Sequence, residues 1–234
     1  MRLSAIVPSA GKSLRMKASG EKPYLLLGGK PVLVHVLMAL ERSTDIRNII
    51  LLVRRSRIAL AKKLVRAYGI RKVAGIYSGG ASRFDSVWQG LKRLPPETDY
   101  VLVHDGARPL VDEALIRRVT NGARRYGAAV PVLPVSFTVK LGKRGFVRKT
   151  LVRKELFEVQ TPQVFRRALL VESYRRAKKE RLSVTDCASV VERLGGKVRL
   201  VPGDPRNIKI TTREQLALAE ILAKRKEVCP CAWE

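Results

Sequence analysis

Predominantly apolar runs alternate with amphipathic segments along most of this chain. Residues 3–7, 46–53, 73–77, 100–103 and 128–135 form the runs, whereas residues 31–42, 58–68, 84–94 and 113–126 carry their apolar positions at helical spacing. Parallel strands buried on both faces read as continuous apolar stretches, and the helices that cover them are amphipathic. The alternation predicts an α/β sandwich with a mostly parallel sheet. Ligands of such folds sit beyond the carboxyl ends of the strands. Three loops fall there: the one opening at Pro8, Ser78-Gly79-Gly80, and His104-Asp105-Gly106.

Residues 136–152 break the pattern. Phe137, Val139 and Leu141 alternate with polar residues, Gly142-Lys143-Arg144-Gly145 follows, and Phe146 resumes the apolar face, which reads as a β-hairpin. A lone hairpin is marginal in water, so it is expected to pack against another subunit. The last predicted helix covers residues 213–226, with Leu216, Ala217, Ala219, Glu220 and Leu222 as its core-facing stripe. With no repeat and no low-complexity linker, residues 1–234 are expected to form one domain, with 136–152 as an arm.

Charge changes the picture next. Lys and Arg number 47 against 20 Asp and Glu, a net charge of +27 that favours anionic partners. The excess is scattered, and aromatic residues make up only 6%, too few for a set of base-stacking platforms, so nucleic acid is not the expected partner. No apolar run is long enough to cross a bilayer and the N-terminus lacks a signal-peptide core, so no membrane association and a cytoplasmic location are expected. Three cysteines, Cys187, Cys229 and Cys231, give no disulfide framework, and the single residue between the last two does not suit zinc.

The first loop, Pro8-Ser9-Ala10-Gly11-Lys12-Ser13-Leu14-Arg15-Met16, follows a strand and is followed by Lys22. It is not a P-loop, because Ile6 stands where that motif needs its first glycine. A small-residue strand-to-helix loop with Arg15 and Lys22 still suits a triphosphate, whose charge builds at phosphorus during transfer; a tight turn with solvated charges is the bland alternative. In the second loop, Ser78-Gly79-Gly80, free amides and the Ser86 hydroxyl suit a nucleobase edge, against simple helix capping by Ser82. Asp105 and Arg108 either meet a substrate or pair with each other to brace a turn, and His104 is expected to be structural. Thr161-Pro162-Gln163, Thr185-Asp186 and Asn207-Ile208-Lys209-Ile210-Thr211 are weaker signals, Thr before Asp being an ordinary helix start.

Taken in order, Ala10-Gly11-x-x-x-Arg15-Met16, Lys22-Pro-Tyr-Leu25, Gly79-Gly80-x-x-Arg83-x-x-Ser86-Val87, His104-Asp105-Gly-Ala-Arg108-Pro109, Thr161-Pro-Gln163, Thr185-Asp186 and Asn207-Ile-Lys209-Ile-Thr211 closely resemble the 2-C-methyl-D-erythritol 4-phosphate cytidylyltransferases over nearly the whole chain. The resemblance implies a Rossmann-like nucleotidyltransferase fold, a homodimer joined by the hairpin arm, and cytidylyl transfer from CTP to methylerythritol phosphate in non-mevalonate isoprenoid synthesis. It implies Mg2+ held mainly by triphosphate oxygens and no protein metal site. By position, Arg15, Lys22 and Lys209 would be catalytic. Pro8, Ser9, Ala10, Gly11, Gly80, Ala81, Ser86 and Gly106 would bind the nucleotide. Asp105, Arg108, Thr138, Arg153, Thr161 and Thr185 would meet the acceptor, with the arm reaching into the neighbouring subunit's site. Ser13, Ala81, Cys187 and Arg206 depart from the family's usual residues. A ribitol-5-phosphate cytidylyltransferase is the nearest alternative, and a nucleic-acid-binding protein on the same scaffold a more distant one.

Overall fold

In a computed structural model, which describes residues 2–11, 21–182 and 184–224, the five apolar runs become five strands of one eight-stranded sheet, whose other three strands no apolar run marks. Chain order is β1 (Leu3–Pro8), the short pair β2 (Leu26–Leu27) and β3 (Lys30–Pro31), α1 (Val32–Arg42), β4 (Ile46–Val53), α2 (Ile58–Ala67), β5 (Val73–Ser78), α3 (Arg83–Leu91), β6 (Tyr100–Val103), α4 (Glu113–Tyr126) and β7 (Ala128–Pro134). The hairpin β8 (Lys140–Lys143) and β9 (Phe146–Thr150) follows, then β10 (Phe157–Val159), β11 (Gln163–Arg166), α5 (Arg167–Lys179), α6 (Cys187–Glu192), β12 (Arg199–Pro202) and α7 (Arg213–Lys224).

The strand order is β10-β7-β11-β6-β1-β4-β5, with β12 added parallel to β7. β5, β4, β1, β6, β7 and β12 share one direction; β11 runs against both β6 and β7, and β10 runs against β7. The sheet is therefore mixed. Alternate residues of the central strands bury into two cores. Leu3, Ala5, Val7, Ile49, Leu51 and Val53 face α1, α2 and α4, whereas Ile6, Ile50 and Leu52 face α3, α5 and α6. Burial on both sides is why these strands lack polar alternation.

The helices start and stop on local chemistry. Asp112 caps α4 by accepting from the Leu115 amide at 2.8 Å, and Gly127, at φ 85°, ends it in the left-handed region glycine adopts without strain. Ser82 and Asp85 form a reciprocal capping box on α3. The helix expected over residues 84–94 stops at Leu91, where a turn leads into Pro95 and Pro96. In α7 only Ala219 is buried; Leu216 and Leu222 are half-buried, while Ala217 and Glu220 are exposed, so the predicted stripe is narrower and rotated. Residues 225–226 of that predicted helix lie outside the described residues.

The hairpin is a separate two-stranded sheet whose turn places Arg144 at φ 52° and Gly145 at φ 83°, the backbone of a tight two-residue connection. Phe137, Phe146, Val147 and Val152 are exposed on or beside it.

Candidate active site

Four strand ends stitch the loops beyond them together. The Ser9 amide donates to the Leu52 carbonyl at 2.7 Å and the Gly79 amide to the Val53 carbonyl at 2.8 Å, so β4 organises the loops that follow β1 and β5. The His104 amide donates to the Ile6 carbonyl at 3.0 Å, which continues the β1–β6 ladder into the loop carrying Asp105. A cleft of about 260 Å³ opens between these loops.

Its walls include Pro8, Ser9, Ala10, Gly11, Gly80, Ala81, Ser86 and Gly106, which is the whole of the expected nucleotide set. Lys22, Asp105 and Lys209 line it too. The packing explains the glycines: a Cβ on Gly79 would sit 2.4 Å from the Ala10 Cβ, and one on Gly106 would fall on the Ser9 hydroxyl. Ser86 Oγ accepts from the Gly80 amide at 3.1 Å and donates to the Ser82 carbonyl at 2.9 Å, which fixes the glycine turn on the first turn of α3. Capping by Ser82 and a role for Ser86 in shaping the cleft therefore coexist.

Asp105 is the electrostatic centre. Its Oδ1 accepts from Arg83 Nε at 3.0 Å and its Oδ2 from Lys209 Nζ at 2.7 Å. Burial alone would raise its pKa, but the two cations outweigh burial and hold the carboxyl well below the usual carboxylate range. The local Asp105–Arg108 pair weighed from the sequence is not what forms. Arg108 instead donates through Nη1 to the Asn207 carbonyl at 2.7 Å, its amide donates to the Asp105 carbonyl at 3.1 Å, and its charge acts on the carboxylate without a direct ion pair. Both partners of Asp105 come from far along the chain, so no local spacing shows them.

Behind Asp105 stands a buried relay. Thr161 Oγ1 accepts from the Asp105 amide at 3.1 Å and lies 3.1 Å from His104 Nδ1, while His104 Nε2 lies 3.1 Å from the Arg108 carbonyl. A carbonyl only accepts, so Nε2 carries the proton and Nδ1 receives the Thr161 hydroxyl. Burial lowers the His104 pKa to about 4, so the ring is neutral near pH 7 and structural, as expected. Thr161 is 4% exposed, with its hydroxyl committed to this relay.

The remaining acceptor candidates lie apart from the cleft. Thr185 is exposed at the start of α6, beside a second cleft that shares Ser82 and Arg83 with the first. Thr138 and Arg153 are exposed at the base of the hairpin, where Arg153 Nη1 donates to the Ser136 carbonyl at 3.0 Å. Arg15 and Ser13 lie outside the described residues. Ala81 lines the cleft, and Cys187 is buried with its Sγ 3.5 Å from Arg83 Nη1 and 3.2 Å from the Tyr174 hydroxyl. Arg206 donates its amide to Asp204 Oδ1 at 2.7 Å. Arg83 is the functional residue that sequence reasoning left without a role, although it stands inside one of the quoted motifs.

Asp105 is the only acidic residue among the described lining of the cleft, and among the described residues there is no cluster of three or more His, Cys, Asp or Glu side chains suited to a metal. No helix among the described residues is long and apolar enough to cross a membrane.

Comparison with known proteins fits this geometry. A family model described as IspD, 2-C-methyl-D-erythritol 4-phosphate cytidylyltransferase, matches residues 3–225. Proteins of that description from Pelotomaculum thermopropionicum and Syntrophus aciditrophicus are 43% and 42% identical over 232 and 228 residues; each match covers 97% of this chain, and 96% and 97% of theirs. The crystal structure of 4-diphosphocytidyl-2C-methyl-D-erythritol synthase from Anaerococcus prevotii superposes with a TM-score of 0.85 at 31% identity, covering 96% of this chain and 99% of that one. The Thermus thermophilus 2-C-methyl-D-erythritol 4-phosphate cytidylyltransferase gives 0.77 at 34%, covering 96% and 100%.

Proposed function

The chain belongs to the 2-C-methyl-D-erythritol 4-phosphate cytidylyltransferase family, and from that premise we propose how its residues divide the reaction. The enzyme transfers cytidylyl from CTP to 2-C-methyl-D-erythritol 4-phosphate, giving 4-diphosphocytidyl-2-C-methyl-D-erythritol and pyrophosphate. The observation that carries the assignment of residues is the meeting of Lys22, Asp105 and Lys209 with the backbone of Gly11, Gly80 and Gly106 in one cleft.

The cytosine sits against Ala10, Gly80, Ala81 and Ser86; the Gly80 amide is spent on Ser86 Oγ and the Ser86 hydroxyl proton on the Ser82 carbonyl, so these two bonds fix the wall against which the base is read. The ribose lies near Pro8, Ser9 and Gly106. The acceptor phosphate attacks the α-phosphorus in line, and Arg15, Lys22 and Lys209 oppose the charge that builds there. Lys209 has three ammonium protons and spends one on Asp105, which aims the other two. Asp105 and Arg108 hold the polyol end of the acceptor, Thr161 acts by fixing the Asp105 amide, and Thr185 extends that end toward the second cleft.

Magnesium enters with the triphosphate as part of the substrate. Both Asp105 oxygens are engaged by cations, and no other lining carboxylate is offered among the described residues, so the protein's donor set suits an ion that travels on CTP. The exposed apolar hairpin suits a second copy of the chain, which would bring Thr138 and Arg153 to the neighbouring site as a homodimer.

The test is a panel of CTP, ATP, GTP and UTP crossed with methylerythritol phosphate and ribitol 5-phosphate, read as pyrophosphate release with Mg2+. Release confined to CTP with methylerythritol phosphate is expected. Preference for ribitol phosphate would overturn the acceptor assignment.

A further inference from the structure

We infer that Arg54 is a positioning residue for the donor nucleotide: its guanidinium ties the carbonyl edge of the first loop to Glu21, the residue before Lys22, and so fixes two walls of the cleft against each other. The inference rests on the reading of the cleft as the CTP site.

Three successive residues at the end of β4 each hold a different part of the cleft. Leu52 accepts from the Ser9 amide and Val53 from the Gly79 amide. Arg54 then reaches back with its side chain. Nη1 meets Glu21 Oε1 at 3.2 Å, while Nε and Nη2 make longer contacts with the Ala10 and Gly11 carbonyls at 3.5 and 3.4 Å. Ala10 and Gly11 line the cleft, as does Lys22, but Arg54 does not. It therefore acts through these residues without touching the nucleotide.

Glu21 makes the arrangement electrostatic as well as geometric. Its carbonyl accepts from the Tyr24 amide at 2.8 Å, opening the turn of 3-10 helix over Lys22–Tyr24. Its carboxylate receives a second cation, Arg57 Nε, at 3.1 Å. An uncompensated carboxylate adjacent to Lys22 would compete with a triphosphate for the lysine ammonium. Two guanidiniums on Glu21 remove that competition and leave the corner net positive. Only arginine has a planar fork that reaches a carboxylate and two carbonyls from one stem, whereas lysine offers a single point charge.

The experiment compares R54Q, R54K, E21Q and R54Q/E21Q with the wild-type chain, reading the CTP Kd by calorimetry without acceptor, the KM of each substrate, kcat and Tm. For R54Q the CTP Kd and KM are expected to rise about tenfold, the scale of a lost charge-assisted contact, with the acceptor KM unchanged within about twofold. R54K should recover only part of the loss, and R54Q/E21Q should be non-additive because the two residues act as one unit. An unchanged CTP Kd in R54Q overturns the inference. So does a loss shared equally by both substrates, tracking Tm and fully restored by R54K. A wild-type chain that fails to use CTP would instead bring down the assignment of the cleft.

Discussion

Lys209 Nζ stands 2.7 Å from Asp105 Oδ2, a contact made across 104 residues of chain. It joins the end of the central strand β6 to the segment before α7, and it gives the cleft a cation whose direction is set by a carboxylate. Asp105 is in turn held on its other oxygen by Arg83.

The two partners in this contact should respond differently to substitution. Lys209 is 42% exposed in its side chain, so K209Q should lower kcat by about a hundredfold while moving Tm little. Asp105 is buried against Arg83, so D105N should lose both activity and about 3 kcal/mol of stability, because a half-buried cation loses its countercharge. Steady-state pyrophosphate release and urea unfolding of both variants check the contrast. Equal stability losses would contradict it.

Protonation of His104 predicts an acid limb in stability. Its folded pKa is lowered to about 4, whereas an unfolded histidine titrates near 6.5. Between those values the unfolded chain binds a proton that the native chain excludes, so stability falls as pH falls through that window, by about 3 kcal/mol when complete. Asp105 acts lower still. Its depressed pKa contributes stability that is present above about pH 4 and is lost as pH drops further. Urea unfolding at about pH 7, 5.5 and 4.5 should show the His104 limb, and H104N should flatten it. An unchanged limb in H104N would assign it to another group.

Gly79→Ala tests the close approach of two loops. The new Cβ would meet the Ala10 Cβ at 2.4 Å and Ser86 Oγ at 2.8 Å, and the first of these cannot rotate away. The loops must part at the wall proposed for the cytosine, so the CTP KM should rise by about tenfold or more with a smaller effect on the acceptor KM. Initial-rate kinetics with each substrate varied in turn will show whether the damage is confined to the donor.

The hairpin predicts a link between assembly and activity. Phe146 is 79% exposed and Val147 65% exposed, so F146D/V147D should fold with wild-type Tm as a single chain. If the proposed homodimer forms, sedimentation should show a dimer for the wild type and a monomer for the variant, and the acceptor KM should rise while CTP binding is retained. A variant that stays dimeric would remove the hairpin from the interface.

Strands β1 and β4 were legible in the sequence because burial on both faces leaves them mostly apolar, and α4 was legible because its apolar positions recur at helical spacing. β10 and β11 were not. They are short, of mixed composition, and their direction is decided by partners on β6 and β7 rather than by their own residues. The loops of the cleft could be read from glycines after strands. The roles of Arg83 and Arg54 could not, because among 47 cationic residues nothing local tells which side chains turn inward toward Asp105 or Glu21.

β11 occupies the slot between β6 and β7. On the ribosome, the edge of β6 beside Val101, Leu102 and Val103 therefore waits uncovered until synthesis has passed Arg166. Such an edge is a template for pairing with other chains. The loop that carries His104 and Asp105 gains its Thr161 support only when that slot is filled, so nascent fragments ending before β11 should be sticky as well as inactive.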